Sequence, residues 1–327
     1  MLLIAGLALL LFCGDLLVRG AVALAVKLDI PSLVIGLTIV AFGTSAPELV
    51  VSLRAALAGS PGIAVGNVVG SNIANVFLVL GIPALISSID CEQPFIKRNT
   101  AYVLVASVIF AALCFNDPLA TWHGAVLFGL MIAFLVESGR RAAQRSDPGD
   151  VLGEETIELI DGVSGLPVQG FGILGCLTAG LIGLPLGAQL TVDSAVKIAM
   201  NFGIAEAAIG LTVIAIGTSL PELATTVAAA MRGHAGVALG NVLGSNLFNI
   251  LAIMGLTALV TPVPVPEVIK QMDIWVMLGA SGAAAIFILG RRPITRIPGL
   301  AFVTFYLAYI IYVFLPRMNG IALTQLQ

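Results

Sequence analysis

The sequence predicts an all-α polytopic membrane protein of about ten transmembrane helices, arranged as two inverted five-helix repeats. Four observations carry this. Of 327 residues, 59% are hydrophobic and 10% charged, with a mean hydropathy of +1.08, whereas a soluble domain is about 45 to 50% apolar. Apolar runs of roughly 18 residues or more, each able to cross the ~30 Å hydrocarbon core as a helix, follow one another almost to the end. The alternating pattern of a membrane β-barrel is absent. Finally, the stretch Gly36 to Gly81 recurs at Gly210 to Gly255.

The spans read from the sequence are Leu2 to Val26, Pro31 to Ala58, Ile63 to Ser87, Thr100 to Phe115, Thr121 to Ser138, Gly170 to Met200, Ile204 to Met231, Val237 to Val260, Asp273 to Leu289 and Pro298 to Leu315. They divide the chain into a first half, 1–138, a polar linker, 139–169, and a second half, 170–327. No Lys or Arg precedes Arg19, so a cleaved secretory signal is not expected and the first helix should stay. The linker is basic first and acidic later. Its Glu154, Glu155, Glu158 and Asp161 have no metal-ligand spacing and read as a solvated connection. Cys13, Cys91, Cys114 and Cys176 lack paired spacing and read as small core residues. His123 and His234 stand alone near span ends and read as interfacial or loop residues. A net charge of -3 gives no reason to expect nucleic acid.

Counted loop by loop over ten spans, eleven of the fifteen Lys and Arg residues fall on one side. Arg54, Lys197, Lys270 and Arg317 fall on the other. The richer side is expected to be cytoplasmic, which places both termini outside.

The two recurring stretches align without a gap and are identical at about half their positions. The copies occupy spans two and three and spans seven and eight. Five intervening crossings invert the second copy, an architecture of secondary transporters that bind substrate near the bilayer midplane.

Within each copy stands the same device, "GTSAPEL" and "GTSLPEL". Pro47 and Pro221 cannot donate to the carbonyls of Gly43 and Gly217, so the helix breaks and frees backbone oxygens. The carbonyls of Ala41 and Ala215 are expected to turn inward nearby. Thr44, Ser45, Thr218 and Ser219 add hydroxyls on that broken turn. Beside them Glu48 and Glu222 sit at mid-span, where an isolated carboxylate costs several kcal/mol and calls for a bound cation or proton. The second half of each copy, "GNVVGSNIAN" and "GNVLGSNLFN", offers neutral oxygens on Asn67, Ser71, Asn72 and Asn75, matched by Asn241, Ser245, Asn246 and Asn249. Gly66, Gly70, Gly240 and Gly244 should let helices approach closely. The donor set is all oxygen, which suits hard cations such as Ca2+ or Na+ and not zinc or copper; Ca2+, with its flexible cage of about six to eight oxygens, fits better than Mg2+.

These motifs resemble the two alpha-repeats of the sodium/calcium exchanger family, within the calcium/cation antiporter superfamily, and the length is nearest its prokaryotic members. The resemblance implies an antiporter exchanging Ca2+ for Na+ by alternating access in a prokaryotic plasma membrane, the inner membrane of a Gram-negative cell. It implies that Glu48 and Glu222 share Ca2+ and serve Na+, with the backbone carbonyls of Thr44 and Thr218. Ala41, Ser45, Ser71, Ala215, Ser219 and Ser245 would complete flanking Na+ sites, and Asn75 and Asn249 would line the centre. Some prokaryotic members carry Asp where this chain has Asn249. The acidic and histidine motif of the proton-coupled branch is missing from the second repeat, which argues against H+/Ca2+ exchange. The expected partners are the two ions and the bilayer, with no cofactor, nucleotide or nucleic acid; the oligomeric state is left open, a monomer being compatible. Rival readings are coupling to H+ or K+, a passive cation channel, and an intramembrane hydrolase using Glu48 and Glu222 as an acid/base pair, the last leaving the inverted repeat unexplained.

Overall fold

The computed structural model describes residues 2–28, 32–93, 95–116, 118–143, 170–201 and 215–324, which are helical apart from their turns. The first half supplies α1 (Leu2–Leu28), the consecutive pieces α2 (Gly36–Thr44) and α3 (Ala46–Leu57), α4 (Pro61–Ile86), α5 (Ile96–Cys114) and α6 (Thr121–Ala143). The second supplies α7 (Gly170–Asn201), the short α8 (Ala215–Thr218), α9 (Leu220–Met231), α10 (Ala235–Val260), α11 (Ile269–Leu289) and α12 (Arg296–Thr324). Among the described residues eight helices are long and apolar enough to cross a membrane, and α2 with α3, bent by 50°, makes a ninth. The expected span from Ile204 begins outside the described residues; its far end is the apolar helix α9. Most of the linker, with Glu154, Glu155, Glu158 and Asp161, also lies outside them.

Two spans start earlier than hydropathy suggests, at Ile96 rather than Thr100 and at Ile269 rather than Asp273. The charges that ended the apolar runs ride on the helices. Lys270, for instance, is buried and its Nζ meets Glu267 at 2.8 Å, the stem covering apolar surface while the head finds a partner.

Inverted symmetry is visible in individual contacts. The hydroxyls of Ser107 on α5 and Ser281 on α11 meet at 3.3 Å, and these residues stand 174 positions apart, the offset of the repeat. Two corresponding residues touch each other only beside the axis that relates the halves. Isolated antiparallel bridges pair Ile89 with Ile294 and Leu119 with Val263. Each joins turns from opposite halves, and one is the counterpart of the other. Helices α1 and α7 pack antiparallel through small residues: a Cβ on Gly6 would fall 2.5 Å from Thr191 Oγ1, and a Cβ on Gly180 would fall 2.6 Å from Leu17 Cβ. Close backbone approach of this kind is how helices associate in lipid.

The most apolar windows of α4 and α10 are 72% and 89% buried, against 33% for α1 and α7 and 17% for α12. The helices that carry the asparagine motifs therefore form the centre. The outer helices turn apolar side chains such as Phe12, Leu186 and Ile297 outward.

None of the four cysteines forms a disulfide, and Cys13, Cys91 and Cys114 are buried. In the turn after α4, burial and the neighbouring Asp90 push the Cys91 thiol up to about 12, which keeps it inert. His123 and His234 sit at helix starts, near span ends, and are buried; His123 Nδ1 accepts the Ala120 N–H at 2.7 Å.

Candidate ion-binding site

The two broken turns share one backbone conformation. Ser45 has φ -85° and ψ 5°, and Ser219 has φ -88° and ψ 4°. Pro47 and Pro221 follow in the first turns of α3 and α9, where a missing N–H leaves no bond unmade. The break thus puts Glu48 and Glu222 in the first turn of a new helix, at the end whose dipole favours an anion. That dipole offsets part of the cost of burying each acid.

Both glutamates are 1% exposed and, among the described residues, they are the buried carboxylates. Ser45, three residues before Glu48, donates through its Oγ to Glu222 Oε1 at 3.0 Å, so the acids from the two halves face a common region. Helix α3 packs against the π-helical segment Phe248–Met254 of α10, and α9 packs against Asn75–Leu80 of α4. Each acid's helix therefore lies against the other repeat's asparagine. Widened turns of this kind recur at functional sites.

Around this junction several buried atoms have no protein partner: Glu48 Oε2, Glu222 Oε2, Ser219 Oγ, Ser245 Oγ, Asn75 Oδ1 and Asn249 Oδ1. Buried polar atoms are nearly always satisfied, so these unpaired oxygens beside two carboxylates are the candidate ligands for a cation. No group of three or more His, Cys, Asp or Glu side chains poised for a metal is found among the described residues. The donors are two carboxylates and neutral oxygens, the chemistry of a hard ion.

The remaining predicted residues fall as follows. Ala41 is buried, and its carbonyl accepts the Ser45 N–H at 3.0 Å and the Thr44 hydroxyl at 3.3 Å. Ser71 is buried. Ala215 opens α8, its side chain lying outside the described residues. Thr218 is half-buried on the second broken turn and has a partner.

The site is not symmetric. Ser45 Oγ donates to Glu222 Oε1 at 3.0 Å, and Thr44 Oγ1 donates to Asn241 Oδ1 at 3.2 Å. The first repeat's broken turn is thus folded onto the second repeat, while Ser219 Oγ makes no matching bond.

Two sequence expectations are refined. Asn67 and Asn241 act through their nitrogens. The Asn67 amide donates to the Glu48 carbonyl at 3.2 Å and to Ser52 Oγ at 2.9 Å, and the Asn241 amide donates to the Glu222 carbonyl at 3.2 Å and to Thr226 Oγ1 at 3.0 Å. Each asparagine follows its glutamate by 19 positions, a separation the gapless repeat fixes without saying which way an amide points. The glycines also divide. A Cβ on Gly244 would meet Ala41 Cβ and the Leu37 carbonyl at 2.6 Å, whereas one on Gly66 would meet Ile269 no nearer than 3.9 Å and one on Gly70 would meet nothing within 4 Å among the described residues. Close approach needs a facing element at the right height, which glycine spacing alone does not specify. Asn75 Nδ2 donates to Asn246 Oδ1 of the opposite repeat at 3.0 Å, a pairing with no local signature.

The family model for the sodium/calcium exchanger protein matches residues 1–138 and 172–315. The chain belongs to the sodium/calcium exchanger family. As a member of that family it is 38% identical to the inner membrane protein YrbG of Escherichia coli, over 89% of each chain. It is 34% identical to the sodium/calcium exchanger MaX1 of Methanosarcina acetivorans, over 96% of this chain and 98% of that one. A structure of the sodium-calcium exchanger NCX_Mj soaked with Na+ and Ca2+ superposes with a TM-score of 0.79 at 33% identity, covering 93% of this chain and 95% of the other. Multi-pass, exchanger-type cation antiport is therefore the established setting for the site.

Proposed function

We propose that this protein is a secondary antiporter exchanging Ca2+ for Na+ across a prokaryotic plasma membrane, with one mid-membrane site opened to either side in turn. The observation that supports it most strongly is the set of unpaired oxygens around Glu48 and Glu222. Ca2+ bridges the two acids, helped by the Thr44 and Thr218 carbonyls. Na+ occupies flanking positions served by Ala41, Ser45 and Ser71 and by Ala215, Ser219 and Ser245, and Asn75 and Asn249 line the centre. Either ion relieves the repulsion between the carboxylates, so one or the other must be bound before the site moves, which couples the fluxes. With Asn249 neutral, two carboxylates balance one Ca2+, and three Na+ would carry one surplus charge.

The antiparallel pair α1 and α7 moves across the core formed by α4 and α10, carrying access from one face to the other. Its small-residue surface suits sliding: Gly14 lies against the α9 backbone, where a Cβ would be 3.0 Å from the Ala224 carbonyl. The basic side faces the cytoplasm and both termini lie outside, the two halves being joined by the 139–169 linker.

Purified protein in liposomes, given Na+, K+ or H+ gradients in turn, should take up radioactive Ca2+ against an outward Na+ gradient. Uptake driven only by K+ or H+ would change the counter-ion, and uptake without any counter-ion would make the protein a channel. Glu48→Gln and Glu222→Gln should each nearly abolish the flux; substantial uptake in either would remove that residue from the site.

A further inference from the structure

We propose that Asn67 and Asn241 are positioning residues that set the height and rotation of the two glutamate-bearing helices. This rests on the antiport reading, because the quantity they control is the geometry of the ion site. Glu48 and Ser52 are one turn apart on one face of α3, and Glu222 and Thr226 are the same on α9. A planar amide has two N–H bonds splayed apart, and each asparagine spends both on acceptors one turn apart. One bond would leave the helix free to pivot. Two bonds fix it.

One of those acceptors is the carbonyl of the glutamate itself. A shift of this clamp therefore moves the carboxylate by a similar amount. Oxygen distances to Ca2+ fall between about 2.3 and 2.6 Å, so a displacement of about 1 Å removes a ligand. Asn241 does more: its Oδ1 accepts the Thr44 hydroxyl at 3.2 Å. With Ser45 bound to Glu222 at 3.0 Å, it locks the first repeat's broken turn to the second repeat's acid. The Asn241 amide has its hydrogens on α9 and its oxygen on Thr44, so it positions the ligands rather than acting as one. The recurrence of the clamp in both inverted halves, at the same 19-residue separation, marks it as part of the site's frame.

The test is Ca2+ uptake by full-length protein in liposomes, with half-saturating Ca2+ and maximal rate measured separately and thermal unfolding measured in parallel. Asn67→Ala and Asn241→Ala should raise half-saturating Ca2+ about tenfold or more, the usual effect of losing a partner that orients a metal ligand, with a smaller change in maximal rate. Asn67→Asp and Asn241→Asp should be no better, because a carboxylate has no N–H to donate. Tighter Ca2+ binding by the Asp variants would make these side chains ligands and overturn the proposal. So would Ala variants that lose thermal stability yet keep the wild-type half-saturation. If the Asn variants do not fold, Ser52→Ala and Thr226→Val decide: each removes one prong and should raise half-saturation about threefold or more, by the same loss of ligand orientation, and no change would overturn the assignment. Silence of the wild-type protein would sink the antiport reading instead.

Discussion

Ser45 Oγ donates to Glu222 Oε1 at 3.0 Å, carrying the first repeat's broken turn onto the second repeat's acid. Its counterpart Ser219 is buried with no partner. One hydroxyl has a protein partner and the other has none.

Ser45→Ala should therefore lower unfolding stability in ion-free detergent solution by about 1.5 to 3 kcal/mol, the range for a hydrogen bond to a charged group. Ser219→Ala should not lower it, since an unpaired buried hydroxyl costs rather than stabilises. Ser219→Ala should instead reduce the stabilisation that added Na+ produces. Calorimetry of both variants with and without Na+ separates the cases; equal losses without the ion would refute the asymmetry.

Asp15, midway along α1, pairs with Arg19 at 2.9 Å and with Arg232 beyond the end of α9. The repeat counterparts of Asp15 and Arg232 are Gln189 and Ala58, so this tie has no ionic equivalent in the other half. Arg232→Gln should destabilise the protein by about 1 to 3 kcal/mol, between the exposed and buried limits for ion pairs. A double-mutant cycle with Asp15→Asn should show coupling; additive losses would mean the pair contributes nothing.

Gly244→Ala should cost about 1 to 3 kcal/mol, because its Cβ would lie 2.6 Å from Ala41 Cβ and from the Leu37 carbonyl, and a packed core resists added volume. Gly70→Ala, with nothing within 4 Å of its Cβ among the described residues, should be tolerated. Thermal midpoints of the two variants make the comparison.

His234, in the turn between α9 and α10, is held neutral, its pKa lowered to about 4 by burial and by the nearby Arg232. An unfolded histidine titrates near 6.5. The folded value lies below the unfolded one, so the unfolded state binds more protons between these limits and stability falls as pH drops from about 6.5 to about 4. Above pH 6.5 the term is constant. His234→Gln should remove this part of the acid dependence, and an unchanged stability profile between pH 4 and 6.5 would exclude it.

The helices, the inversion and the break at Pro47 and Pro221 were legible because each depends on local chemistry: apolar run length, a gapless recurrence, and a residue with no N–H. The glutamates were legible for a similar reason, since a carboxylate at mid-span needs a partner wherever it packs. The grip of the Asn67 nitrogen on α3 is hidden in the sequence, because an amide's direction is set by its neighbours, and nothing in "GNVVGSN" says that α3 lies on its donor side. The pairing of Asn75 with Asn246 and the sealing of Gly244 by Leu37 and Ala41 were equally invisible.

Taken alone, the sequence determined a membrane chain of two opposed copies, each with one acid beside a broken helix. Only the tertiary structure decided that Ser45 reaches Glu222 while Ser219 reaches nothing, and that the asparagines grip the acids' backbones. The reason is physical. Periodicity and proline act within a few residues along the chain, whereas a 3 Å hydrogen bond between residues 177 positions apart depends on how whole helices rotate and slide when their small faces pack.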